Sequence, residues 1–196
     1  MYLSTHGDCV PNGMKILSSA VVYTCPIFVV EERRVEFDEG AQETRWVVVR
    51  PPNVSVVALT DAKEVVLIRE CIGKMQQEVL ALPSGKMHMF HPTDDELKKE
   101  ALWELESEAG YRAAHIELMS ARENPSDYLE RTYYRYAAWG VEEVGQQLET
   151  GEKITPVLVA AHTIDEFLSR HELESKSEVQ AVHEAMRFFK KRALLK

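Results

Sequence analysis

The stretch TDDELKKEALWELESEAG, residues 93–110, places glutamates at every fourth position: Glu96, Glu100, Glu104 and Glu108. It reads as an α-helix. Thr93 with Glu96 has the spacing of a capping box. Leu97, Ala101, Leu105 and Ala109 form an apolar stripe, and Gly110 suits a left-handed stop. On such a helix the glutamates stack along one face. Like charges at i,i+4 repel, so the ladder invites compensation, and a hard divalent cation with carboxylate ligands would supply it. A solvated surface helix can look the same, so the ladder alone leaves both readings open.

Outward from this helix the chain alternates short apolar runs with turn residues. Ser18–Val30 and Arg34–Phe37 read as strands, the first broken by Pro26, and Asp38-Glu39-Gly40 reads as a turn into a return strand over Thr44–Arg50. Val54–Leu59 and Glu64–Arg69 fit a buried hairpin, and Gln77–Leu82 a shorter strand ahead of a loop over Ser84–Pro92. After the helix, Ile116–Met119, Arg131–Trp139 and Val157–Ala161 read as strands. Thr163 with Glu166, and Ser175 with Glu178, open two terminal helices, the last lined by Val179, Val182, Met186 and Phe189. Strands, one helix, strands and closing helices make an α/β protein, a mixed sheet sandwiched by helices.

Composition narrows the function. The net charge of −9 over 196 residues makes nucleic acid an unlikely partner, and the basic run Lys190, Lys191, Arg192 fits a helix C-terminus. Cys9, Cys25 and Cys71 match neither a zinc spacing nor a disulfide framework. No signal-peptide pattern and no apolar run of membrane-spanning length is expected, which leaves a cytoplasmic protein with no membrane association.

Leu82-Pro83-Ser84-Gly85-Lys86, followed by Glu104-Leu105-Glu106-Ser107-Glu108-Ala109-Gly110-Tyr111, resembles the Nudix hydrolase box. The Arg50-Pro51 junction, the Leu-Pro-x-Gly-Lys loop and the closing helices are similar to the ADP-ribose and nucleotide-sugar pyrophosphatase branch, from about Ile16 onward. The resemblance implies an α/β/α sandwich with an N-terminal β-hairpin extension. It also implies cleavage of the pyrophosphate in a nucleoside diphosphate derivative, with Mg²⁺ or Mn²⁺ as cofactor and a small nucleotide as substrate. The domain division it suggests is a leader at 1–15, a hairpin subdomain at 16–52 and the catalytic domain at 53–196. Relatives of this branch pair through the hairpin, so a homodimer is expected.

Carried over position by position, the resemblance makes Glu104, Glu108 and the carbonyl of Ser84 the metal ligands, with Glu104, Glu108 and a loop glutamate, Glu130, in catalytic roles. Arg69 and Glu70 stand where the branch holds its ligand, and Lys86 would balance charge. Trp103 replaces the box arginine and Ser107 the first glutamate of its Glu-Glu pair. Trp103 is expected to pack on the sheet. These departures keep a second reading in view: a catalytically impaired Nudix-fold protein that binds a nucleotide or another protein.

Overall fold

The computed structural model describes residues 13–72, 77–124, 126–171, 173 and 175–196. Most of the expected leader, with Cys9, and Pro125 lie outside the described residues. In chain order the elements are β1 (Met14–Cys25), β2 (Phe28–Phe37), β3 (Gln42–Val49), β4 (Asn53–Leu59), β5 (Glu64–Ile72), β6 (Gln77–Ala81) and β7 (Ser84–Lys86). Helix α1 (Asp94–Ala109) follows, then β8 (Tyr111–Glu123), β9 (Leu129–Glu130), β10 (Thr132–Glu143), β11 (Ile154–Ala160), α2 (Ile164–Arg170) and α3 (Lys176–Lys191). They form two compact units: residues up to Pro51 with Glu123–Arg131, and Pro52–Arg122 with Thr132–Lys196.

The first unit is a sheet of order β1-β2-β3-β9. Ser18–Val30 is not one strand. Pro26 and Ile27 make a turn that pairs Cys25 with Phe28 across an antiparallel ladder, since proline lacks the amide a strand interior needs. The expected hairpin is therefore a three-stranded meander, with β9 added parallel to β3. β1 is exposed along almost its whole length, including Ile16, Leu17, Val21, Val22 and Tyr23.

The second unit holds a mixed sheet of order β11-β5-β4-β10-β8, with β6 on β5 and β7 on β4. β4 runs parallel to β10 and antiparallel to β5. Side chains alternate across a strand, and the two faces feed separate cores. Val54, Val56 and Ala58 with Val66 and Ile68 pack under Leu97, Ala101 and Leu105 of α1. Val57 and Leu59 with Val65 and Leu67 pack under Ala181, Val182, Ala185 and Phe189 of α3. This is the α/β/α sandwich. β4 is buried along most of its length, which explains its unbroken β-branched run.

Two local expectations differ. Ser84–Lys86 is a short strand rather than loop. Thr163 makes no side-chain cap; it is the last residue of a 3-10 turn, and its hydroxyl donates to the Ala160 carbonyl (3.0 Å) instead.

Candidate active site

Helix α1 begins with the complete capping box: Thr93 and Glu96 exchange backbone and side-chain hydrogen bonds, which hold the Glu96 carboxyl below its usual range. It ends at Gly110, whose φ of 77° places it in the left-handed region. Between these ends the glutamate ladder does not keep one environment. A step of four residues overshoots the 3.6-residue turn by about 40°. The ladder therefore wraps from the capping position through half-buried Glu100 and Glu104 to Glu108, which is buried.

The last two glutamates converge on β7, the short strand before α1. The Ser84 N–H donates to Glu108 Oε2 at 2.8 Å. A Cβ added to Gly85 would lie 1.5 Å from Glu104 Oε1, so the Glu104 carboxylate occupies the space a side chain would take. Val56 N–H donates to the Pro83 carbonyl and Met87 N–H to the Pro52 carbonyl, each at 2.9 Å. Those flanking bonds, with Ser84 opposite Ser55, put Ser84 at a non-hydrogen-bonded position of the β4–β7 ladder. Its carbonyl, like its amide, is turned away from β4.

Electrostatics mark the same place. Burial pushes the Glu104 carboxyl up to about 7, and Glu100, Glu152 and Glu149 add to the effect. Burial pushes Glu108 up to about 8; the Ser84 amide opposes this, while Glu104, Glu70 and Glu152 reinforce it. Carboxylates crowded in this way favour either protonation or a cation. The donors are all oxygen, which suits Mg²⁺ or Mn²⁺. Among the described residues no three His, Cys, Asp or Glu side chains group as ligands. A bound ion would then rest on Glu104, Glu108, the Ser84 carbonyl and water, in keeping with the reluctance of Mg²⁺ to lose its hydration. The residues fit the group.

A stability consequence follows for the metal-free protein. Both carboxyls have folded-state values above the ordinary carboxylate value of about 4.3. Between the two values the folded state binds more protons than the unfolded one, so stability falls as pH rises. Denaturant titrations in EDTA should show stability declining from about pH 5 to about pH 8, and millimolar Mg²⁺ should flatten that decline. A flat profile in EDTA would contradict the burial of this pair.

Other residues singled out from sequence fall as follows. Glu70 shares the sheet face of Val66 and Ile68 and bears on Glu108. Arg69, one residue earlier, shares the face of Val65 and Leu67, on the α3 side, so the sheet separates it from the two carboxylates. Lys86 is exposed in β7, opposite Asn53. Glu130 belongs to the first unit, where it pairs with Arg33 at 2.6 Å. Trp103 does not pack on the sheet: it is 46% exposed, because it lies two residues from both Ala101 and Leu105 and therefore on the far side of the helix. Ser107 is buried, where a glutamate would have added another charge to the crowd.

Glu149 and Glu152 were not singled out from sequence, and no motif marks them. They reach the site because the chain after β10 runs along the end of α1. Val144 N–H donates to the Gly110 carbonyl (2.8 Å) and Gln147 N–H to the Ser107 carbonyl (3.0 Å). Gln146 Nε2 bridges the Glu108 and Ile154 carbonyls.

No family model matches the chain. It is 21% identical over 129 residues to a methanol dehydrogenase activator of Bacillus methanolicus, covering 66% of this chain and 68% of that protein. It is also 21% identical over 138 residues to an ADP-ribose pyrophosphatase of Bacillus subtilis (strain 168), covering 70% and 72%. A crystal structure of an ADP compounds hydrolase superposes with a TM-score of 0.75 at 18% identity, over 96% of this chain and all of that one. Sequence likeness along two thirds of the chain and a shared fold along nearly all of it support the resemblance to the Nudix superfamily.

Proposed function

We propose that the chain is a divalent-metal-dependent hydrolase of nucleoside diphosphate derivatives, with ADP-ribose or a nucleotide sugar as the foremost substrate. The observation that carries this reading is the convergence of Glu104 and Glu108 on Ser84 and Gly85 of β7. The likeness to a protein named ADP-ribose pyrophosphatase supports the substrate class. When bound, a divalent ion neutralises the diphosphate and lowers the pKa of a water. Glu104 and Glu108 would hold the ion, and the Ser84 carbonyl would complete the protein's ligands. Gly85 leaves room for Glu104. Lys86 offsets substrate charge from the edge of the site. Water oxygen bonds to phosphorus, the bridging P–O bond breaks, and the water's proton passes to a base. Glu152, which bears on both carboxylates, adds to the negative charge that a cation would offset. Arg69, on the α3 face of the sheet, and Glu130, in the first unit, are carried over by resemblance alone.

The test is a panel of ADP-ribose, nucleotide sugars, dinucleotides and capped RNA, assayed with Mg²⁺ and with Mn²⁺. The expected result is turnover of at least one member, lost in EDTA. Binding without turnover across the panel would favour the second reading, an inert nucleotide-binding or protein-interaction module, for which the altered positions Trp103 and Ser107 speak.

A homodimer accompanies the proposal. β1 lies at the end of its sheet order and exposes apolar residues on both faces, and an uncovered strand edge of this kind needs a partner. Light scattering of the purified chain at a monomer mass would reject it. A cytoplasmic location is proposed with it: Cys25 and Cys71 are free, as suits a reducing compartment, and no helix among the described residues is long and apolar enough to cross a membrane. Cell fractionation checks this.

A further inference from the structure

The geometry points to Glu178, on the helix layer opposite α1, as a positioning residue for the segment that leads into β7 and its proposed metal ligand; this deepens the hydrolase reading and rests on it. Glu178 Oε1 accepts a hydrogen bond from the N–H of Leu82 at 3.2 Å. Leu82 is fully buried, and it begins the segment that delivers the Ser84 carbonyl. The next residue, Pro83, has no amide and a restricted φ, and its carbonyl is held by Val56 N–H. Ser84 N–H then goes to Glu108. The segment Leu82-Pro83-Ser84 is thus suspended between two carboxylates, one from each helix layer, attached two residues apart.

Glu178 stands at the third position of α3, after the cap residue Ser175, whose hydroxyl accepts from Glu178 N–H. In α1 the corresponding glutamate, Glu96, returns its carboxylate to the cap residue. In α3 that carboxylate reaches Leu82, 96 residues away in sequence. The first turn of α3 is itself anchored: Arg135, buried in β10, donates to Ser177 Oγ at 2.6 Å. Glu178 therefore projects from a fixed element, the condition for setting a ligand's position closely. Without the bond, Leu82 N–H loses its acceptor in a buried setting, and the segment must shift to find another. A shift there moves the Ser84 carbonyl and loosens the partner of Glu108.

The test is Mn²⁺ titration of the full chain by calorimetry, with activity and thermal denaturation measured in parallel, for the parent, Glu178→Ala, Glu178→Gln and Glu178→Asp. Loss of an outer-shell partner typically costs about tenfold or more in metal affinity. Glu178→Ala is expected to lose that much at temperatures where it remains folded. Glu178→Gln, whose amide oxygen still accepts from Leu82, should stay close to the parent. Glu178→Asp keeps the charge in the first turn of the helix but falls short of Leu82, so it should resemble Glu178→Ala; it also serves if the alanine variant does not fold. Parent-like affinity in both the alanine and aspartate variants, or a glutamine variant as impaired as they are, would overturn the proposal. A parent that binds no Mn²⁺ would overturn the hydrolase reading itself, and the proposal with it.

Discussion

Glu108→Gln is expected to yield a folded protein that is more stable than the parent in EDTA above pH 8 and has lost metal-dependent turnover. The two effects share one cause. Burial and the neighbouring carboxylates hold Glu108 in its protonated form up to about pH 8, so its ionised form burdens the metal-free fold. Each pKa unit corresponds to about 1.4 kcal/mol, which puts the relief on the order of 2 kcal/mol after allowance for residual solvent. Glutamine keeps an oxygen to accept from Ser84 N–H, so β7 should stay in place. As a metal ligand a neutral amide is a poor replacement, and turnover should fall by at least about 100-fold, the upper range seen when even an outer-shell partner is removed. Unchanged turnover would refute the assignment of Glu108. A less stable variant at pH 8 would refute the electrostatic account.

Gly85→Ala should give the second large effect, again with function and stability separated. The new Cβ would fall 1.5 Å from Glu104 Oε1. What it meets is the tip of a flexible side chain, and the backbone of Gly85 is an ordinary strand conformation paired with Val54. The carboxylate can swing away at little cost to the fold, and loss of unfolded-state freedom at glycine can add about 0.4–1 kcal/mol of stability. A displaced Glu104 no longer faces Ser84 and Glu108. Misplacement by about 1 Å can cost about 100-fold in rate, and a loss of that order is expected here with a melting temperature equal to the parent's or higher. The mechanism predicts coupling: in Glu104→Ala, which has no carboxylate to expel, Gly85→Ala should cost little more. Additive losses in the double variant would show that the glycine acts through something other than Glu104.

These expectations depend on the ladder being divided by the helix. Read as a sequence, Glu96, Glu100, Glu104 and Glu108 are equivalent. Folded, Glu96 closes the cap, Glu100 sits on the flank, and Glu104 and Glu108 reach the sheet. The capping box, the apolar stripe and Gly110 were legible because each depends on residues within a few positions of one another. β8 spans Tyr111–Glu123 where the apolar run predicts only Ile116–Met119, because its polar, half-exposed residues lack the run that marks a buried strand. Trp103 faces outward although its residue type predicts burial, because helical phase sets its direction.

Local periodicity in the chain determined the helix, the central strands and the layer architecture, while the resemblance to the Nudix box singled out the two carboxylates on which the chemistry is proposed to rest. Tertiary structure decided which backbone atoms meet those carboxylates, that Glu70 and Arg69 lie on opposite faces, and that Glu149, Glu152 and Glu178 bear on the site. The physical reason is range. Capping, amphipathic phase and strand alternation are set by neighbours in sequence. The environment of a carboxylate is set by whatever returns to it through space, and spacing along the chain carries no record of that return.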